Sequence, residues 1–244
     1  MTLPEPFTWA GPHVAAELPG GRVLFSSRHG GVSTGPFASL NLGVLTDDDP
    51  GAVEVNRARL CERAGVPWAR VAFGRQVHGG AVRRVAAAGP PSQGADEDGQ
   101  ATARDDVAAL VFTADCLPVA LVADGGVAML HGGWRGLDAG ILAEGVAALR
   151  GLGVSGEIAA ALGPAARGCC YEVGEEVHER FAAYGARAGE RNLALDVVAT
   201  AQLRDAGVAE VHDTGLCTIC DDRFFSHRRD HGATGRQGGM AWRA

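Results

Sequence analysis

The sequence predicts a mixed α/β fold: one domain, residues 1–244, with central mixed β-sheets flanked by helices. Three observations carry this reading. Short apolar runs of strand length are interspersed with longer stretches of helical period, in no strict strand–helix–strand rhythm. No internal repeat or long linker divides the chain. The densest apolar runs, 107–112, 118–123 and 127–130, are bounded by turn residues, and Asp124-Gly125-Gly126 between the last two is a strong hairpin signal. These runs show little polar alternation, so both faces of their strands are expected to be buried.

The remaining elements follow in chain order. Residues 1–19 are proline-rich and read as a strand or extended arm, with a short strand at 23–26. Residues 28–42, RHGGVSTGPFASLNL, hold too much Gly, Ser, Thr and Asn for a helix or central strand and read as a loop. Asp47-Asp48-Asp49-Pro50 marks a helix start, because Pro suits the first turn and acids suit the positive helix end. That helix is expected to reach Ala64, where Gly65-Val66-Pro67 stops it. Strands are expected at 71–73 and 81–86, a loop with Pro90-Pro91 at 86–99, and a helix at 137–149 ended by Gly151. A buried strand at 158–162, helices around 174–183 and 192–203, and a strand at 208–212 complete the list. The stretch 217–236 mixes thiols, aromatics and arginines and reads as irregular.

Composition narrows the function. The 244 residues are 46% hydrophobic and 21% charged, with a formal net charge of −7. That balance argues against a general nucleic-acid surface or an anionic-membrane surface, while leaving room for a local arginine pocket. No apolar run approaches the roughly 20 residues that span a bilayer. MTLPEPFTWAGPH lacks a basic region followed by an apolar core, so a cytoplasmic protein is expected. Six cysteines in a chain of this type read as free thiols or metal ligands rather than disulfides.

The chemistry concentrates at the hairpin. Folding about Asp124-Gly125 brings Cys116 and His131 to one end of the ribbon, within reach of a shared ion. His78, among glycines in QVHGG, offers a third ligand. Two imidazoles and a thiolate make a three-ligand zinc site with a fourth position open. Spacing alone leaves a second reading, in which Cys116 and His131 form a thiolate–imidazolium nucleophile pair. Arg28, Arg135 and Arg228-Arg229 sit among glycines or near strand ends and are candidates for anion binding, since the guanidinium fork suits phosphate. Asn41 and Gln76 are candidates for hydrogen bonds to a ligand, and Asp115 and His29 for acid–base work. The pair Cys217-x-x-Cys220 has only Cys169-Cys170 as a possible complement. Adjacent cysteines rarely chelate one ion together, so buried structural thiols are the expectation there.

The ordered motifs SSRHGGVSTGPFASLNLG (26–43), RQVHG (75–79), TADCLPV (113–119), HGGWRGL (131–137), LGPAARGCCYEVGEEV (162–177) and CTICDDRFFSHRRDHGATGR (217–236) resemble the YfiH-like family. That family was first named for multicopper polyphenol oxidase, or laccase-domain, activity and is also called peptidoglycan editing factor. Its members are now regarded as purine nucleoside phosphorylases with adenosine deaminase activity. The resemblance implies a mixed α/β domain similar to a toxin deamidase that uses a Cys–His pair. It also implies zinc held by His78, Cys116 and His131. It implies purine nucleosides and phosphate as partners: phosphorolysis of adenosine, inosine, guanosine and S-methyl-5'-thioadenosine to base and sugar 1-phosphate, and deamination of adenosine to inosine. Arg28, Arg135 and Arg228 are then candidates for phosphate, and Gln76 and Asn41 for ribose or base. The chain departs from the family pattern at Gly132, where Ala is usual, at His227, where Tyr is frequent, and at Gln237, where Met is usual. Two rival functions remain: a copper-dependent oxidase, disfavoured by eight His with no HxH pair, and a cysteine hydrolase or amidase with Cys116 as nucleophile.

Overall fold

The computed structural model describes residues 2–86 and 96–244. The expected strand or arm at the start of the chain is a hairpin, β1 (Phe7–Ala10) and β2 (His13–Leu18), followed by β3 (Gly21–Phe25). Helix α1 (Pro50–Ala64) begins as the sequence implies: the Asp49 carboxylate accepts the Gly51 N–H at 3.1 Å, with Pro50 in the first turn. Then come β4 (Val71–Ala72), β5 (Val82–Arg84), β6 (Gly99–Thr102), β7 (Ala108–Thr113), β8 (Leu117–Ala123) and β9 (Gly126–Gly132). The second half holds α2 (Trp134–Asp138), α3 (Ile141–Gly151), β10 (Ala159–Leu162) and α4 (Glu175–Arg180). After these come β11 (Arg187–Ala188), β12 (Asn192–Leu193), α5 (Leu195–Asp205), β13 (Glu210–Asp213) and β14 (Gln237–Arg243). The pair Pro90-Pro91, in the loop expected at 86–99, lies outside the described residues.

Two six-stranded mixed sheets form the centre, ordered β1-β2-β3-β14-β7-β4 and β13-β10-β8-β9-β6-β5. The near-continuous apolar strands are explained by layering. In β8, Ala120 and Val122 face the other sheet, joining Phe25, Val111 and Ala241, whereas Val119 and Leu121 face α3 and α5. In β7, Ala109 and Val111 point between the sheets, and Ala108 and Leu110 pack under α1 with Leu60. Each sheet therefore has an inner face against its partner and an outer face under helices, so no alternation is required.

Two expectations are corrected, and two further features carry no signal in the sequence. The helix expected at 137–149 is two helices, because Gly140 adopts a left-handed φ of 79° between α2 and α3. The helix expected at 192–203 starts three residues later. Asn192 and Leu193 instead pair with β11, and the Leu193 N–H reaches the Tyr171 carbonyl at 2.9 Å. Two strands, β6 and β14, carry no apolar signature. At Gly239 of β14 the reason is spatial: an added Cβ would stand 2.9 Å from Pro118 Cβ and 3.2 Å from Met129 Sδ, so this strand runs too close to the second sheet for a side chain. Finally, β7 and β8 lie in different sheets, and residues 114–116 carry the chain from one to the other.

His13 in β2 gives a test of packing. It is 1% exposed, and its Nδ1 accepts the Ser27 N–H at 3.1 Å. Burial, with Arg63 and His29 nearby, lowers its pKa to about 4. The folded value lies below the unfolded value near 6.5, so its stabilising contribution is complete above pH 6.5 and is lost as pH falls towards 4. The loss is expected to approach about 3 kcal/mol. Urea unfolding at pH 7 and pH 4.5 should show it, and His13→Gln should flatten the difference.

Candidate functional site

Hairpin β8–β9 has the register Pro118 opposite His131 and Leu117 opposite Gly132, which sets Cys116 just beyond the paired residues, beside Gly133. His78 arrives from the loop before β5. The ligand atoms of His78, Cys116 and His131 all lie within 4.8 Å of one another. The two imidazoles stand edge to face, with ring centroids 4.9 Å apart. Gly133 permits this approach: a Cβ there would lie 3.0 Å from the Cys116 sulfur and 3.4 Å from His78 Cδ2.

Asp98, a residue without a distinguishing sequence signal, organises the group. Its carboxylate is fully buried, contacts His131 Nδ1 at 2.7 Å, and accepts the backbone N–H groups of Val77, His78 and Gly79 at 2.7–3.0 Å. This fixes the His131 tautomer and turns Nε2 outward, the arrangement that carboxylates impose on metal-binding histidines. Burial pushes the Asp98 carboxyl up, but the His131 hydrogen bond and the backbone amides hold it below its usual range. At Cys116, burial also pushes upward, and the nearby His131 charge with hydrogen bonds from His131 and His78 outweighs it, so the thiol falls to about 6. His131 rises to about 9, because the Cys116 thiolate and Asp98 outweigh burial. Both shifts run towards a thiolate beside an imidazolium, and a cation at the site would take the proton's place between them.

These donors fit a zinc ion. Three lie within reach of one centre, one is a ready thiolate, and the imidazole of His131 is aimed by a buried carboxylate. They open on a cavity of about 670 Å³ at the crossing 114–116. Arg135 lies over the Trp134 ring at 4.3 Å and Arg228 over the Tyr171 ring at 5.1 Å, and all four residues line the cavity. Arg57 and Arg236 also line it and were not expected from the sequence. Arg57 sits within 5.1 Å of the ring centres of Trp68, Phe73 and Phe112, and burial lowers its pKa to about 10.

Other expected site residues are placed differently. Asp115 lines the cavity, but its carboxylate accepts the Thr218 hydroxyl and the Arg228 N–H, both at 2.7 Å. Gln76 lines it too, while its amide pairs with both the N–H and the carbonyl of Phe112 at 2.7 Å. Asn41 is fully buried outside the cavity: its amide nitrogen donates to Thr46 and Asp48, and its oxygen accepts the Gly43 and Arg236 N–H groups. It ties the turn at 43–48 to Arg236, and its amide has no free polar edge for a ligand. Arg28 donates to the Ala38 carbonyl at 2.7 Å and stacks on Phe225, again outside the cavity. His29 is exposed and does not line the cavity. Arg28, Asn41 and His29 thus lie in or beside loop 28–42, apart from the residues that line this cavity. The polar density of that loop reflects its own hydrogen bonding, which composition cannot separate from ligand binding.

The fold and site define a class: a mixed α/β domain with a His–Cys–His set lining an arginine-rich cleft. The family model described as multi-copper polyphenol oxidoreductase laccase matches residues 22–244, and the chain belongs to that laccase-like family, the family of YfiH. A purine nucleoside phosphorylase of Pseudomonas aeruginosa is 40% identical over 235 residues, covering 91% of this chain and 93% of the relative. One of Streptomyces coelicolor is 41% identical over 233 residues, covering 91% and 96%. The crystal structure of YfiH from Bacillus licheniformis superposes with a TM-score of 0.90 at 28% identity, covering 98% of this chain and 99% of that one. Among the described residues, no helix is long and apolar enough to cross a membrane.

Proposed function

We propose that this protein is a zinc-dependent purine nucleoside phosphorylase that also deaminates adenosine. The observation that carries the reading is the joining of a His78–Cys116–His131 set to an arginine-lined cavity of about 670 Å³, a size suited to a nucleoside. The name borne by the relatives at about 40% identity supports the phosphorylase part of this reading. The substrates are purine nucleosides, among them adenosine, inosine, guanosine and S-methyl-5'-thioadenosine, together with phosphate.

His78, Cys116 and His131 would hold the zinc, with Asp98 fixing His131. Bound zinc supplies Lewis acidity and lowers the pKa of water at its open position. Arg135 and Arg228 bind the phosphate, each held in place by the ring beneath it. Arg236, half-buried near Cys116 and Asp115, adds positive charge to the same wall. Asp115 is a positioning residue: through Thr218 and the Arg228 amide it fixes the wall that carries Arg228. Trp134 and Tyr171 exclude water beside the reacting sugar.

Incubation with adenosine and phosphate, followed by chromatography, is the test. Adenine with ribose 1-phosphate supports phosphorolysis and inosine supports deamination, while absence of both sinks the proposal. Arg135→Ala is expected to raise the KM for phosphate about 10- to 100-fold, from the loss of a charge-assisted hydrogen bond, with a smaller change in the KM for nucleoside. Initial rates at varied phosphate measure this.

The oxidase named by the family model finds less support. A coupled copper centre needs many imidazoles, and the only His-containing metal-capable group among the described residues has two. The thiolate–imidazolium pair does favour one rival, a cysteine hydrolase. Iodoacetamide would then abolish activity while the metal content stayed unchanged.

A further inference from the structure

The thiols expected to be separate and buried lie together near the surface. Cys169 and Cys220 are exposed, Cys170 and Cys217 are half-buried, and all four are free. Their sulfurs lie within 4.8 Å of one another. Four of the separations are 3.5 Å (Cys169–Cys170), 3.7 Å (Cys169–Cys220), 3.3 Å (Cys170–Cys217) and 3.4 Å (Cys170–Cys220).

We propose that Cys169, Cys170, Cys217 and Cys220 form a second, mononuclear metal site that takes zinc as a closed four-thiolate ion. Four thiolates around one ion at about 2.3 Å stand about 3.8 Å apart along each tetrahedral edge. The observed separations need shifts of only a few tenths of an ångström to match. A polynuclear iron–sulfur cluster spreads its cysteines over several irons with sulfide between them, which calls for wider spacing. The Cys217-x-x-Cys220 turn suits the ion further: backbone N–H groups, including those of Ile219 and Cys220, point at the Cys217 sulfur. On binding, the thiols release their protons to solvent and no redox change occurs.

The adjacency of Cys169 and Cys170 works here because they lie in the turn after Arg167, with the Cys170 N–H bonded to the Arg167 carbonyl at 3.0 Å. The loop before them meets the second cysteine pair at a bridge between Ala165 and Cys217. Arg167 reinforces the junction with a bidentate pair to Asp213 at 2.7 Å and a bond to the Leu216 carbonyl.

The position gives the ion a task. Tyr171 follows Cys170 directly and lines the cavity, and Thr218 between Cys217 and Cys220 holds Asp115. Arg228 reaches back to the Glu172 carbonyl at 2.7 Å. The four-thiolate ion staples the two loops that build one cavity wall, on the side away from the substrate. It stabilises the wall without taking part in the reaction.

Metal analysis of protein purified under reductant without added metal is the test. Wild type is expected to hold about two zinc ions per chain, Cys116→Ala about one, and the Cys217→Ser, Cys220→Ser double variant about one. The double variant is expected to melt at least about 5 °C lower. Because that variant could fail to fold, cobalt-loaded wild type provides a second reading. Its thiolate-to-cobalt absorption should have the intensity of five thiolates, falling to about four in Cys116→Ala. Unchanged metal in a folded double variant overturns the proposal. So does a mass deficit showing disulfides in the wild-type chain, or absorption from a single thiolate. Failure of the His–Cys–His site would appear separately, as metal unchanged in Cys116→Ala.

Discussion

Cys116→Ala is expected to lose the ion held with His78 and His131 and to reduce both deamination and phosphorolysis by about 10³-fold. The side chain is half-buried and lines the cavity rather than packing in a core cluster, so the melting temperature of the variant should stay near that of the wild type with its cavity ion removed. The two remaining imidazoles cannot supply the thiolate charge, and His131, no longer beside that thiolate, should titrate closer to its ordinary value. Metal content and product chromatography on the same preparation measure the effect. A variant without the ion that still performs phosphorolysis at the wild-type rate would show that zinc serves deamination alone.

Asp98→Asn is expected to weaken zinc binding at this site about 10- to 100-fold and to destabilise the fold by about 2 kcal/mol or more. The reason is a count of donors. The carboxylate accepts three backbone N–H groups and faces His131 Nδ1. An amide at that position turns an NH₂ group towards some of those donors and leaves them unpaired in a buried site. The folded-state pKa of Asp98 is depressed, so its contribution is complete above the unfolded value near 3.9 and fades only as pH falls through the folded value. At neutral pH the contrast between wild type and variant is therefore full. Competition with a chelator of known affinity reads the first effect and urea unfolding the second. Wild-type zinc affinity in the Asn variant would remove Asp98 from the metal site.

The parts of this architecture that were legible in the sequence share a cause: each has a local signal. Asp124-Gly125 announces a hairpin, and the hairpin brings Cys116 towards His131. Asp49-Pro50 starts a helix and Gly65 ends it. Asp98 has no such signal, since its importance comes from three amides of a loop some twenty residues earlier in the chain and from an imidazole on a neighbouring strand. Arg57 lies mid-helix, and only the tertiary packing of Trp68, Phe73 and Phe112 reveals its place at the cavity. Arg28 and Asn41 show the opposite case: their glycine-rich setting resembles a ligand cradle, yet the Arg28 Nε is bonded to the Ala38 carbonyl and the Asn41 amide to Gly43, Thr46, Asp48 and Arg236. The cysteines show the limit of a spacing rule, because a tight turn and a bridge between distant loops bring together a set that linear separation disfavours.

Strand β14 has a consequence for biosynthesis. It lies between β3 and β7, bonded to both, although it follows every other strand in the chain. While residues 237–243 are still inside the ribosome, the first sheet exists only as two halves, each with an apolar, hydrogen-bond-hungry edge. Such edges invite pairing with other nascent chains. Production of this protein is thus expected to depend on how quickly that strand emerges and inserts, and on chaperones that shield the gap until it does.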